Sequence, residues 1–145
     1  MIEYDFDKSV SYWVGITTHI FEQAMNNELA GTGVTFRQVQ VLACLALSDG
    51  QCQAELAKLL HVAPPTLVRI LDRMERDGWI ERHPSPEDRR KKVISAADEV
   101  RGKWSEIIAC GERMEKRATA GLSRSELKML QQTLAKIRRN LGDES

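Results

Sequence analysis

Two groups of cationic side chains in this sequence have the types and spacing needed to hold an anionic polymer. The first is Thr66, Arg69, Arg73 and Arg76. At about 100° per residue these fall on one side of a helix, while Leu67, Ile70, Leu71 and Met74 cluster on the other within about 100° of arc. One face can pack, and the other presents three arginines and a hydroxyl. An α-helix fits the DNA major groove, where an arginine pairs bidentately with guanine O6 and N7. The second group is the unbroken run Arg89-Arg90-Lys91-Lys92, which follows the turn-rich Pro84-Ser-Pro-Glu-Asp88. Exposed helix arginines are usually just solvated surface, and Asp72, Glu75 and Asp77 are placed to pair with them. The helix alone therefore does not decide for DNA. A basic hairpin tip shortly after such a helix does.

Roles follow from position. The N-terminal half of a recognition helix meets base edges, which assigns base contact to Pro65, Thr66 and Arg69. Val68, at the margin of the apolar face, is placed for a thymine methyl. Arg73, one turn further on, is expected at a phosphate, and Arg76 sits too near Asp72, Asp77 and the helix end to be counted. At the tip, Arg90 is expected to enter a minor groove, whose negative potential attracts arginine. Asp88 is expected to orient Arg90 by a charge-assisted hydrogen bond, with Arg89 and Lys91 at phosphates.

The elements that must position these groups can be read from periodicity and caps. An apolar stripe, with Val10, Val14, Phe21, Met25 and Leu29 at helical spacing, predicts a first helix from about Phe6 to Leu29. Thr35-Phe-Arg-Gln38 is a capping box for a second, running to about Leu47. A short helix from about Gln53 to Leu60 follows, then a tight turn at His61. Pro64 and Pro65 open a fourth helix that ends before Gly78. After Gly78 the period changes, and Trp79–His83 and Lys92–Ser95 read as the strands of a β-hairpin. Ser95-Ala-Ala-Asp98 reads as a capping box for a long fifth helix to about Ala120, and Ser123-Arg-Ser-Glu126 as one for a sixth. Its inward face is Leu127, Leu130, Leu134 and Ile137. The fold class is thus mainly α with a small β-hairpin wing: a six-helix winged helix-turn-helix.

Composition sets limits. The chain has 145 residues, with 21 Lys and Arg against 21 Asp and Glu. Zero net charge argues weakly against nucleic acid, but the relevant charge is concentrated at residues 89–92 and can bind phosphate locally. No run approaches the roughly 18 apolar residues of a membrane span, and the acidic start has no signal-peptide character; a cytoplasmic protein is expected. Cys44, Cys52 and Cys110 form neither a zinc motif nor a disulfide framework. Cys44 reads as core, Cys52 lies near a helix start where a thiolate is stabilised, and Cys110 is a candidate for a subunit interface. No metal-ligand spacing, Gly-rich phosphate loop or catalytic Ser/His/Asp set is present, so neither a cofactor nor an enzymatic activity is expected.

The terminal helices carry apolar faces that a winged-helix core of this size cannot bury, which favours a homodimer. A twofold dimer spaces its recognition helices about one DNA turn apart and reads a palindrome. Folding back of these helices onto their own subunit is the alternative.

The runs Gln53-Ala-Glu-Leu-Ala-Lys-Leu-Leu, Pro65 through Arg82 and Pro86-Glu-Asp-Arg-Arg-Lys resemble the MarR/SlyA family of transcriptional regulators, and the likeness extends over nearly the whole chain, 1–145. Asp88 and Arg90 match the family's Asp-x-Arg wing element, and Thr66, Val68 and Arg69 match its recognition helix. The resemblance implies a DNA-binding lobe at 35–95 and a homodimer formed by helices in 1–30 and 97–145. It implies a regulator, expected to be a repressor, and a cleft that takes small aromatic or phenolic acids. Trp13, Thr17 and Arg69 are candidate ligand contacts, with Ile16, His19, Ile20 and Arg73 near them, although Trp13 in such a place is more often core or dimer contact. The chain departs from the family at Ala96-Ala97, where Leu-Thr usually caps the long helix. The competing reading is a winged-helix protein-interaction module that does not bind DNA, against which the basic run 89–92 argues.

Overall fold

Helix starts and stops follow the capping chemistry of the sequence. In the computed structural model, which describes residues 3–143, α1 spans Val10–Leu29 and is capped by Ser9, whose Oγ accepts from the Tyr12 amide at 3.1 Å. The expected start at Phe6 is corrected: Phe6–Lys8 form a separate 3-10 turn, and Ser9 restarts the chain as a helix. Helix α2, Phe36–Leu47, opens on the predicted capping box, in which the Gln38 amide donates to Thr35 Oγ1 and Gln38 Oε1 accepts from the Thr35 amide. Helix α3 is Gln53–Leu59 and α4 is Pro64–Arg76, with prolines at the first two positions, where a missing N–H leaves no bond unmade. Gly78, at φ +79°, ends α4. The Trp79 amide donates to the Met74 carbonyl at 2.8 Å and the Gly78 amide to that of Glu75 at 3.1 Å, a Schellman closure that requires the left-handed residue. Helices α5, Val100–Ala118, and α6, Arg124–Asn140, complete six, and the Ser123–Glu126 capping box forms as expected.

The expected hairpin is present as β2, Ile80–Pro84, and β3, Lys92–Ala96, paired Ile80 with Ala96 through Pro84 with Lys92. A third strand was not expected. Gln51–Cys52, β1, pairs antiparallel with Ile94 and Val93, which makes β3 the centre of the sheet. Two residues are too few for a period to show. The proposed cap at Ser95 is also corrected. Ser95 is spent in β3 opposite Glu81, and α5 begins later, after Glu99, without a side-chain cap.

The core of the winged-helix lobe gathers Val41, Leu42 and Leu45 of α2, Leu56 of α3, Leu67, Leu71 and Met74 of α4, and Ile80 and Ile94 of the sheet. A second part of the same cluster joins Met25 and Leu29 of α1 to Ile107, Cys110 and Met114 of α5. Glu28 reinforces that seam, accepting from Arg113 at 3.2 Å and from Arg117 at 2.7 Å. The Cys110 thiol donates to the Glu28 carbonyl at 3.2 Å, so Cys110 belongs to the buried seam between α1 and α5 and not to an exposed surface.

The terminal helices behave differently. No residue of α6 is buried, and the only buried residues of α1 are Met25 and Leu29. The apolar face expected to point inward on α6 is only partly covered: Leu127 and Ile137 are half-buried, whereas Leu130 and Leu134 are exposed. Val10 and Val14, expected in the stripe of α1, are exposed as well. Residues 1–2 and 144–145, at the ends of the segments assigned to dimerisation, lie outside the described residues.

Candidate nucleic-acid interface

Helix α4 divides as its sequence requires. Leu67, Leu71 and Met74 are fully buried against the lobe, while Pro65, Thr66, Arg69 and Arg73 are exposed and Val68 is half-buried. The packed face fixes the helix, and the opposite face is left open to solvent. Three carboxylates on this helix were candidates to neutralise its arginines. The structure gives one of them to Arg76 at the helix end and takes the other two to β2. Asp77 holds Arg76, its Oδ1 2.9 Å from Arg76 Nε, which raises the guanidinium pKa and lowers that of the carboxyl, in each case chiefly through that hydrogen bond. Asp72 and Glu75 are both bound by Arg82 of β2, at 2.8 and 2.5 Å. Among the described residues no ion pair engages Arg69 or Arg73, and their charge remains available.

Arg82 is the residue that sequence reasoning passed over, having been quoted only as part of a run. The signal was the strand period: Ile80 is buried, Glu81 exposed and Arg82 again inward-facing. Its side chain is only 11% exposed. Burial works against its charge, but the hydrogen bonds of Glu75 and then Asp72 outweigh it, so its pKa stands above the ordinary value.

The wing tip is built by local hydrogen bonds. The Ser85 amide donates to the Lys91 carbonyl at 2.8 Å and the Lys91 amide to the Asp88 carbonyl at 2.9 Å, which closes the loop. Asp88 Oδ1 accepts from the backbone amide of Arg90 at 3.0 Å. The expectation that Asp88 grips the Arg90 side chain is thus corrected. A short acid side chain reaches the amide two residues on, and this shapes the turn from which the Arg90 guanidinium projects. Arg89, Arg90, Lys91 and Lys92 are all exposed and enter no ion pair among the described residues.

The start of α3 lies close to the wing. Glu55 caps it by accepting from the Cys52 amide at 3.0 Å. That bond chiefly lowers the Glu55 pKa, and the charge of nearby Lys91 adds to the effect. Cys52 is half-buried at this junction, and Cys44 packs beside the core, where burial raises its thiol pKa. Among the described residues no cluster of His, Cys, Asp or Glu could hold a metal, and no helix is long and apolar enough to cross a membrane.

The proposed ligand contacts are not brought together within one chain. Thr17 and Ile20 line a groove of about 570 Å³ with Phe21, Met114, Leu130 and Leu134, between α1, α5 and α6; neither Trp13 nor any residue of α4 lines it. Trp13 instead donates from Nε1 to the Asp7 carbonyl at 3.1 Å and sits edge-on to Tyr12, in a chain of rings that continues through Phe6 to Tyr4.

Comparison with known proteins agrees with this architecture. Residues 34–92, which hold α2 through the wing tip, match the model of the MarR family. YwoH of Bacillus subtilis strain 168, described as an uncharacterised HTH-type transcriptional regulator, is 28% identical over 101 residues, covering 70% of this chain and 73% of that protein. The transcriptional repressor CouR bound to a 23-mer DNA duplex superposes with a TM-score of 0.83 at 26% identity, over 94% of this chain and 99% of that one. A mutant MarR of E. coli complexed with operator DNA gives a TM-score of 0.81 at 24% identity, over 93% and 99% of the two chains. CouR from Rhodococcus jostii RHA1 has also been solved bound to p-coumaroyl-CoA, with a TM-score of 0.79 at 21% identity over 93% and 95%. The last two likenesses speak for the fold.

Proposed function

The winged-helix lobe of this chain is of the MarR family, and from that premise we propose that the protein is a sequence-specific double-stranded DNA-binding transcriptional regulator acting as a repressor. One observation carries the reading. Helix α4 is clamped by its apolar face and leaves Arg69 and Arg73 exposed and unpaired, ahead of a wing that is equally free to meet phosphate. Pro65, Thr66, Val68 and Arg69 read bases, and Arg73 holds a phosphate. Arg90 enters a minor groove from the turn shaped by Asp88, and Arg89 and Lys91 hold the flanking backbone.

The lobe comprises residues 35–95, and the segments 1–30 and 97–145 make a homodimer that presents two lobes to a palindromic operator. Support comes from the open apolar surface of Val10, Trp13, Ile16, Ile20, Leu130 and Leu134. A stable interface takes about 800 Å² from each partner, and no other part of the described chain exposes as many large apolar side chains. On this reading a small aromatic or phenolic acid releases the DNA, the effector class that the resemblance to the MarR/SlyA family implies. With Trp13 and Thr17 remote from Arg69 in one chain, such a ligand would sit where two copies meet.

Selection of bound duplexes from a random pool tests the reading. A palindromic consensus is expected, with affinity that falls steeply as salt rises. A failure to shift any duplex at low salt would leave the protein-interaction module as the better description.

A further inference from the structure

Arg82 occupies a position that neither base reading nor phosphate binding explains. It lies on β2, its side chain is nearly buried, and it spends two guanidinium nitrogens on two carboxylates of α4: Nη1 on Glu75 Oε2 at 2.5 Å and Nη2 on Asp72 Oδ1 at 2.8 Å. Asp72 and Glu75 stand three residues apart on one helix face, where like charges repel. Asp72 is also three residues from Arg69, the spacing at which a helix forms its own ion pairs. Without Arg82, Asp72 would be released to pair with Arg69, and Glu75 would stand as a free carboxylate on the same helix. Arg82 is also the side chain that ties the wing strand to the recognition helix by charge.

We infer that Arg82 is a positioning residue for DNA recognition. By binding Asp72 and Glu75 together it keeps both carboxylates away from Arg69 and from DNA phosphates, and it fixes the wing relative to α4. This rests on the DNA-binding reading above and adds to it a residue that touches no DNA. The role is electrostatic as well as mechanical, and that makes it separable from simple structural support. A neutral glutamine at 82 removes the clamp and frees the carboxylates; neutralising the carboxylates as well should return the charge balance without the clamp.

The experiment uses the full chain and a pool of random duplexes at low salt, with affinity and its salt dependence read by fluorescence anisotropy and folding by thermal melts. Arg82→Gln is expected to weaken binding roughly 2- to 30-fold, the range typical of coupling through residues off the contact surface. The salt slope should flatten by about one phosphate contact or more as the wing loses its placement. Adding Asp72→Asn and Glu75→Gln to that variant should recover a large part of the affinity, which a purely structural role would not allow. The inference is overturned if Arg82→Gln binds with the wild-type affinity and slope, or if its loss follows the melted fraction and the triple variant recovers nothing. Absence of DNA binding by the wild-type chain itself would remove the DNA-binding reading, and this role with it. Wild-type binding with an unaffected Arg82→Gln would remove this role alone.

Discussion

Arg69 and Arg73 differ by one helical turn, and that turn separates their chemistry. On the proposed reading, a guanidinium in the N-terminal half of α4 reaches base edges, while one further back meets the backbone. Arg69→Ala should therefore relax base preference at one operator position and cost about 1–3 kcal/mol there. Arg73→Ala should weaken all sequences alike and reduce the salt slope by about one contact. Parallel binding titrations on a cognate and a scrambled duplex would separate the two, and identical profiles would remove the assignment. At the wing tip, Asp88 accepts from the Arg90 amide, so Asp88→Ala should disorder the turn and lower affinity although it removes a negative charge near phosphate. Tighter binding by that variant would mean that the acid merely repels DNA. The residue types and spacing of this site were legible in the chain because helix and wing each keep their pattern over consecutive positions. The Asp88 partner and the Arg82 clamp were not legible as such. One depends on the choice between a backbone and a side-chain donor, and the other on which strand face meets which helix.

Local capping sets the elements, and it carries a pH dependence with a definite sign. Glu55 and Glu126 each accept from the amide of an N-cap residue, which holds their pKa below the ordinary value of 4.5. The unfolded chain therefore takes up protons at these sites before the folded chain does. Their contribution is complete above 4.5 and is lost as pH falls below it through the depressed folded values. Glu55→Gln should lower stability on the neutral side of a stability-against-pH curve while leaving its most acid part nearly unchanged, so the acid slope flattens, a comparison that chemical unfolding at several pH values makes directly. Thr35→Ala should cost about 1 kcal/mol at all pH values, since its cap is uncharged. The two-sided caps at Thr35 and Ser123 were readable from three-residue spacings, whereas the one at Cys52 was not, because a cysteine is not a usual N-cap residue. The one at Ser95 was misread because a hydrogen-bonding pattern of equal spacing was already claimed by the sheet: pairing with Glu81 holds Ser95 extended and delays α5. Strand β1 escaped notice because two residues carry no period and are recruited only by the edge that β3 offers.

Across the whole molecule, the lobe and the terminal helices are stabilised in different ways. The lobe buries its own core, whereas no residue of α6 is fully buried within the chain. Thermal midpoints should therefore rise with protein concentration, as expected when association and folding are linked. Leu130→Glu combined with Leu134→Glu should yield monomers in sedimentation, with operator affinity reduced far more than affinity for a half-site. Dimers that persist in that variant would place the interface elsewhere. The apolar spacing of α6 was visible in the sequence, but a period says only that a face is covered and not by which copy. A last consequence comes from the order of the sheet. Because β3 pairs with β1 on one side and β2 on the other, the wing is spliced at once to the strand before α3 and to the strand after α4. Only the short segment 97–99 separates it from α5. The sheet and its flanking helices are thus tied into one body, which meets the terminal helices at 97–99 and again at 30–35, where Asn26 and Glu22 of α1 bind Phe36 and Arg37 of α2. If two copies pair as proposed, a ligand bound between them would act on each lobe as a unit, changing the distance between lobes more readily than the set of the wing within one.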